Sequence, residues 1–171
     1  MNDVEAKTAK RPDFAVEPEP GQESVWDYPR PPALRRDSRL IEVRDGDVVL
    51  ARTTAGFKVM ETASPPTFYI PPADVALEQL VRLDQQTYCE WKGSASYWAL
   101  ARSPGLPVAW SYERPRPSFA AIQSFIAFYP ERVTCLLADE QVRAQAGRFY
   151  GGWITSEVVG PFKGEPGTGH W

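Results

Sequence analysis

A chain of 171 residues, 43% hydrophobic and 24% charged, suits one domain with a sizeable core. Its formal net charge of −3 argues against a broadly basic surface for nucleic acid or membrane. Seventeen prolines and twelve glycines separate short apolar runs, which favours strands joined by turns over long helices.

In chain order, residues 1–23 are polar and carry Pro12, Pro18 and Pro20, and read as a mobile tail or a strap on the domain. Residues 24–171 read as a single β-rich domain. Ser24 to Tyr28 is a short extended piece, and Pro29, Pro31 and Pro32 keep the following chain out of a central strand. The run Arg30, Arg35, Arg36, Arg39 and Arg44, interrupted by Asp37 and Glu42, reads first as a solvated face. Asp45-Gly46 predicts a type I′ hairpin pairing Val43 with Val48 and Ile41 with Leu50. Phe57 to Glu61 and Thr67 to Ile70 predict two further strands, and Pro71 to Asp74 one helical turn. Residues 76–83 fit helix or strand, and the lack of a cap or terminal Gly favours strand.

The stretch Thr87 to Trp98 concentrates two Trp, two Tyr, Cys89 and Lys92 around one turn. A two-residue Lys92-Gly93 loop would pair Trp91 with Ser94, Cys89 with Ser96 and Thr87 with Trp98. A bulge is the alternative, because Lys-Gly is a weaker turn than Asn-Gly. Ser103-Pro104-Gly105 then predicts a turn into a strand over Val108 to Tyr112, and Ser118 an N-cap for a short helix through Gln123. Phe125 to Phe128 and Val133 to Leu137 read as strands, and Gly147 to Trp171 as strand, loop and strand ending in an irregular arm. With no long amphipathic helix between strands, the expected fold is mainly β and antiparallel, with one or two short helices.

His170 is the one histidine and stands beside the end of the chain, so Ser-His-Asp and Cys-His catalysis lack a core base. Cys89 and Cys135 form no C-x-x-C pair, so neither a metal nor a cofactor is expected, and two free thiols fit a cytoplasmic protein. No apolar leader or bilayer-length run is present in the sequence. Gly160 to Gly164 lacks the Gly-Lys-Ser/Thr of a phosphate loop, Gly167-x-Gly169 lacks its helix, and Asp45-Gly-Asp47 reads as turn chemistry.

What survives is an aromatic constellation. The six Trp and seven Tyr can fill a β core. Alternatively, Trp26, Tyr28, Tyr69, Trp91, Tyr97, Trp110 and Trp153 wall a cleft with Glu61 and Lys92 as polar anchors. Glu61 is in phase with Phe57 and Val59 and so points inward, where it needs a partner. Cys89 is a packed thiol by default, and Lys92 is the only local cation able to activate it. Two main functions follow, with a small molecule as partner and no nucleic acid or membrane. One is binding of a small polar or nucleobase-like ligand. The other is an enzyme with Glu61 as general acid or base and Lys92 or Cys89 as electrophile or nucleophile. An interaction module using a sheet edge is a third reading.

Six segments in order carry a family resemblance: Glu23 to Pro32, Glu61 to Pro72, Thr87 to Gly93, Ala109 to Tyr112, Phe125 to Pro130 and Gly151 to Gly164. Together they resemble the DUF427 family, with Glu90 where that family commonly has Pro. The resemblance implies a β-tent or Mss4-like arrangement of sheets. The zinc-ribbon cysteines common in that group are absent here. The family is sometimes labelled nucleotidyltransferase-like, yet no Asp-x-Asp follows Gly93-Ser94 to hold the metal ions such transfer needs.

Overall fold

Short runs of β-branched and aromatic residues between Pro and Gly breaks fold as short strands in the computed structural model, which describes residues 10–147 and 149–171. The first half holds β1 (Glu23–Ser24), β2 (Ala33–Asp37), β3 (Ile41–Asp45), β4 (Val48–Thr53), β5 (Gly56–Met60) and β6 (Thr67–Tyr69). A long meander follows as β7 (Leu80–Cys89), β8 (Gly93–Leu100) and β9 (Ser103–Ser111), with β10 (Ile126–Phe128) on its edge. The remaining strands are β11 (Thr134–Leu137), β12 (Glu140–Gln141), β13 (Arg143–Ala144), β14 (Trp153–Ile154) and β15 (Val158–Val159). Helix among the described residues is confined to short 3-10 segments, the longest being Pro117–Ile122.

The fold is mainly β, in open sheets of order β10-β9-β8-β7, β12-β11-β3-β4 and β2-β5-β6, whose pairings are all antiparallel. One pairing departs from that rule: β1 runs parallel to β15, joining residues near the two ends of the described chain. The sheet containing β8 and β9 is covered on both faces, because successive side chains point to opposite sides. Trp98, Ala109 and Phe128 share one face and join the main core with Phe68, Ile70 and Trp153. Tyr97, Trp110 and Ala127 share the other and join a second core with Tyr69, Tyr112 and Tyr129. Strand β6 feeds both cores: Phe68 enters the first and Tyr69 the second.

Local turn chemistry departs from the sequence reading in several places. In the first hairpin Asp45 pairs with Val48 and Val43 with Ala51, across a bulge, so neither Val43–Val48 nor Ile41–Leu50 forms. Gly46 supplies the left-handed residue of the two-residue loop, at φ +57°. The β8–β9 turn falls at Ala101-Arg102, and Ser103-Pro-Gly already belongs to the strand, which reaches Ala99–Pro107 through irregular register. A proline there needs no ladder donor where pairing is broken. Arg116, not Ser118, precedes the 3-10 segment and caps it without a side-chain bond, because Pro117 occupies the first helical position. Residues 76–83 divide, with Leu77–Gln79 forming a 3-10 turn before β7 starts at Leu80.

Residues 11–23 lie against the domain. Arg11 Nε is 2.6 Å from Asp27 Oδ1, and the Phe14 ring stacks on Trp171 at 5.3 Å. Behind β1 the buried Lys58 ammonium donates to Glu23 Oε2 at 2.9 Å and to Glu157 Oε1 at 3.4 Å. Arg39, within the basic run, forks onto Asp37 and Glu157, so part of that run is paired rather than solvated. Burial raises the Glu23 carboxyl, but the hydrogen bonds from Lys58 and Tyr28 outweigh it and hold the group below its ordinary value of 4.5. A carboxylate depressed in this way stabilises the fold above that value, and the contribution is lost as pH falls through the depressed one. Lys58→Met is therefore expected to lower stability by roughly 2 kcal/mol at neutral pH, the scale of charge-assisted hydrogen bonds with partly exposed acceptors. The deficit should shrink in urea titrations carried out below the carboxylate range; a deficit independent of pH would show that Lys58 acts through packing alone.

Candidate functional site

The second core does not close. Tyr97 and Trp110 are cross-strand partners on β8 and β9, and small Ala127 opposite Trp110 leaves room for Tyr129, whose ring lies 4.7 Å from the indole. Tyr69 meets the indole edge-on at 6.1 Å, and its hydroxyl accepts a hydrogen bond from Trp110 Nε1 at 3.2 Å. Thr87 and Tyr97 hydroxyls are 2.7 Å apart. These phenols and Tyr112 floor a cleft of about 400 Å³, a volume in the small-molecule range. A smaller recess of about 130 Å³ continues it past Glu61, Lys92 and Lys163 toward Gly152.

Of the residues selected from sequence, Glu61, Cys89, Lys92, Tyr69, Trp91, Tyr97 and Trp110 line this cleft together. The other three stand elsewhere. Trp153 is fully buried in the main core, tilted on Phe68 at 5.0 Å, with Nε1 donating to the Phe128 carbonyl. Trp26 packs with Phe14 and Trp171 and donates to the Pro161 carbonyl. Tyr28 donates to Glu23, with the Lys58 ammonium 5.8 Å from its ring centre.

Lys92 reaches the cleft because the hairpin register differs from the expected one. Cys89 pairs with Gly93 and Thr87 with Ala95, so the loop is Glu90-Trp91-Lys92 and the pairs Trp91–Ser94, Cys89–Ser96 and Thr87–Trp98 do not form. The three-residue loop ends on Gly93 at φ +106°, where a Cβ would also sit 3.2 Å from the Arg114 carbonyl. The loop is tied down from outside: the Arg116 amide donates to the Lys92 carbonyl at 2.9 Å and the Arg116 guanidinium to the Glu90 carbonyl at 3.1 Å. Lys92 thus sits beside Cys89 at the root of the ladder, its Nζ 5.9 Å from the ring centres of both Tyr112 and Phe119.

Burial alone would lower the Lys92 ammonium, but Tyr69, Cys89 and Glu61 around it outweigh that and raise it above its ordinary value. It is a cation at neutral pH, suited to holding charge rather than to attack as a free amine. Burial pushes the Tyr112 and Tyr129 phenols up, so both stay neutral hydrogen-bonding groups. Glu61 is half-buried, with Arg30 Nη2 at 3.9 Å on its outer side.

Tyr112, Tyr129, Tyr150 and Lys163 also line the cleft and were not selected from sequence. Tyr112 carried a signal, lying two residues beyond Trp110 and therefore on the same face. Tyr150 and Lys163 come from the Gly-rich end of the chain, where no periodicity marks a face. Gly151 brings that segment onto the site: a Cβ there would lie 2.3 Å from Cη2 of Trp110. Among the described residues no three His, Cys, Asp or Glu side chains gather as a metal site.

A family model described as a domain of unknown function, DUF427, matches residues 33–139. The chain belongs to the DUF427 family. No curated protein matches it. The DUF427 match spans Glu61, Cys89 and Lys92 and stops short of Tyr150, Gly151 and Lys163, so the cleft is completed by chain outside the matched segment.

Two outcomes follow from this geometry. Gly151→Ala is expected to cost about 2 kcal/mol, the scale of overpacking, and to displace the Trp110 indole; unchanged denaturant stability and tryptophan fluorescence would refute the contact. Cys89, half-exposed in the cleft, should be alkylated in the native protein, whereas Cys135, 1% exposed, should react only on unfolding. Mass spectrometry of iodoacetamide-treated native protein reads both sites.

Proposed function

We propose that this DUF427 domain binds a small polar or nucleobase-like molecule in the Tyr- and Trp-lined cleft. The observation carrying the reading is the placement of a protonated, largely enclosed Lys92 over neutral phenols in a space sized for one small molecule. Ligand sites combine ring walls with a few fixed polar groups, and the Tyr69, Tyr97, Lys92 and Glu61 side chains supply those groups. A cation over a ring face is worth ~0.5–2 kcal/mol, so the Tyr112 and Phe119 contacts help hold the ammonium in place before a ligand arrives. The surrounding open sheets support a β-tent, Mss4-like arrangement, and two free thiols support a cytoplasmic setting. No helix of the described residues is long and apolar enough to cross a membrane.

The catalytic alternative uses the same cleft, with Glu61 as general acid or base, and is favoured by its half-buried carboxylate lining the same walls as Lys92 and Cys89. A thermal-shift screen of small polar and nucleobase compounds on the wild-type, Lys92→Met and Glu61→Gln proteins separates the readings. A saturating ligand is expected to raise the wild-type melting temperature by about 5 °C and to lose most of that shift in Lys92→Met. Equal shifts in all three proteins, or none, would end the binding proposal. A Glu61→Gln protein that keeps affinity for a compound it no longer transforms would establish the enzyme.

A further inference from the structure

The charges around the cleft are unevenly matched. Two carboxylates line it: Glu61, with Arg30 Nη2 at 3.9 Å, and the solvent-exposed Glu90. Lys163 spends one of its three N–H donors on the Trp171 carbonyl at 3.2 Å and lies 5.7 Å from the Tyr150 ring centre. Lys92 stands beside Cys89 at the root of the ladder and faces the rings of Tyr112 and Phe119. Among the described residues, no Asp or Glu carboxylate stands within ion-pair distance of Lys92, whereas Lys163 is held by the Trp171 main-chain oxygen. By contrast, Lys58 of β5, more deeply buried than Lys92, has two carboxylate oxygens within 3.4 Å. The fold thus gives one ammonium direct ion pairs where it serves structure, and gives the one facing the cavity only the more distant Glu61 carboxylate. An enclosed ammonium with no direct ion pair keeps donors free for an anion that enters the cleft.

The rim favours flat ligands. Tyr88 and Phe149 are 68% and 66% exposed at the cleft mouth, and Trp91 and Tyr150 stand half-buried beside them. Exposed large rings on one rim offer stacking surfaces that the core does not need.

We infer that the occupant is a planar organic anion, its carboxylate or phosphate seated on the Lys92 ammonium with Lys163 as the second cation, and its ring against the aromatic rim. This rests on the small-ligand reading above and narrows it to one charge class. The phenolic hydroxyls of Tyr69 and Tyr97 are within the same walls and add neutral donors to the head group.

The test uses the full chain and the alkylation rate of Cys89, which lies beside Lys92 on the cleft wall. Four probes of similar size are compared at equal millimolar concentration: phenyl phosphate, benzoate, neutral benzamide and cationic benzylamine. Inorganic phosphate is a fifth, ringless control. At least one ring anion is expected to slow alkylation fivefold or more, benzamide and benzylamine less than twofold, and inorganic phosphate less than its phenyl ester. Whether phenyl phosphate or benzoate protects better identifies the head group. Protection, taken as the rate ratio with and without probe, should fall at least fivefold in Lys92→Met and be retained in Lys92→Arg. The wild-type probe series stands even where a variant misfolds. Protection by benzamide or benzylamine equal to that by the anions would overturn the anion assignment and leave ligand binding intact. Failure of every probe alongside a non-anionic hit in the thermal screen would do the same. Failure of every probe with an empty screen would remove both.

Discussion

Both faces of the sheet β10-β9-β8-β7 are covered, and the two coverings differ in chemistry. Trp98, Ala109 and Phe128 meet a close-packed core of aliphatic and aromatic side chains, in which Trp153 is fully buried with its indole nitrogen satisfied. On the other face Tyr97, Tyr112 and Tyr129 bring hydroxyls with their rings, and Trp110 brings an indole N–H. Phenols must keep a partner when buried, so a face paved with them closes only where hydroxyls find one another. Trp110 to Tyr69 and Thr87 to Tyr97 are such closures. Beyond them the packing opens into the cleft.

Preorganisation comes from the backbone around it. Lys92 is held by a loop whose carbonyls accept from Arg116 and which is followed by Gly93 at φ +106°, where a Cβ would make a tight 3.2 Å contact with the Arg114 carbonyl. Gly151 lets a distant segment lie directly on the Trp110 indole. Among the described residues, Lys92 lacks the Asp/Glu ion pairs that Lys58 has behind β1. That contrast, a directly ion-paired lysine in the core and a partly enclosed lysine without an ion pair at the cleft, gives the cleft its electrostatic character.

Much of this was legible along the chain, and the reasons are local. Pro and Gly spacing indicated short strands, and six ordered segments from Glu23–Pro32 to Gly151–Gly164 carried the family resemblance. The period-two pattern placed Glu61 on the inner side of its strand end, and it does line the cleft. The misses share one cause. Asp45-Gly46, Lys92-Gly93 and Ser103-Pro-Gly each looked like the centre of a turn, and in each case the turn is centred elsewhere. A dipeptide states a conformational preference, whereas register is chosen by what both strands bury together.

By itself, then, the sequence determined the strand content, the family, and the grouping of Tyr69, Cys89, Trp91, Lys92, Tyr97 and Trp110 as residues able to share one site. The strand content and the grouping follow from alternation and composition, which act over a few residues, and the family from the six ordered segments that resemble it. Only the tertiary structure decided that Trp26, Tyr28 and Trp153 serve other parts of the fold, and that Tyr150 and Lys163 complete the cleft. It decided too that Lys92 turns inward instead of into solvent. Those outcomes depend on contacts between segments far apart in the chain, and a burial pattern read along one segment holds no information about which distant segment will cover it.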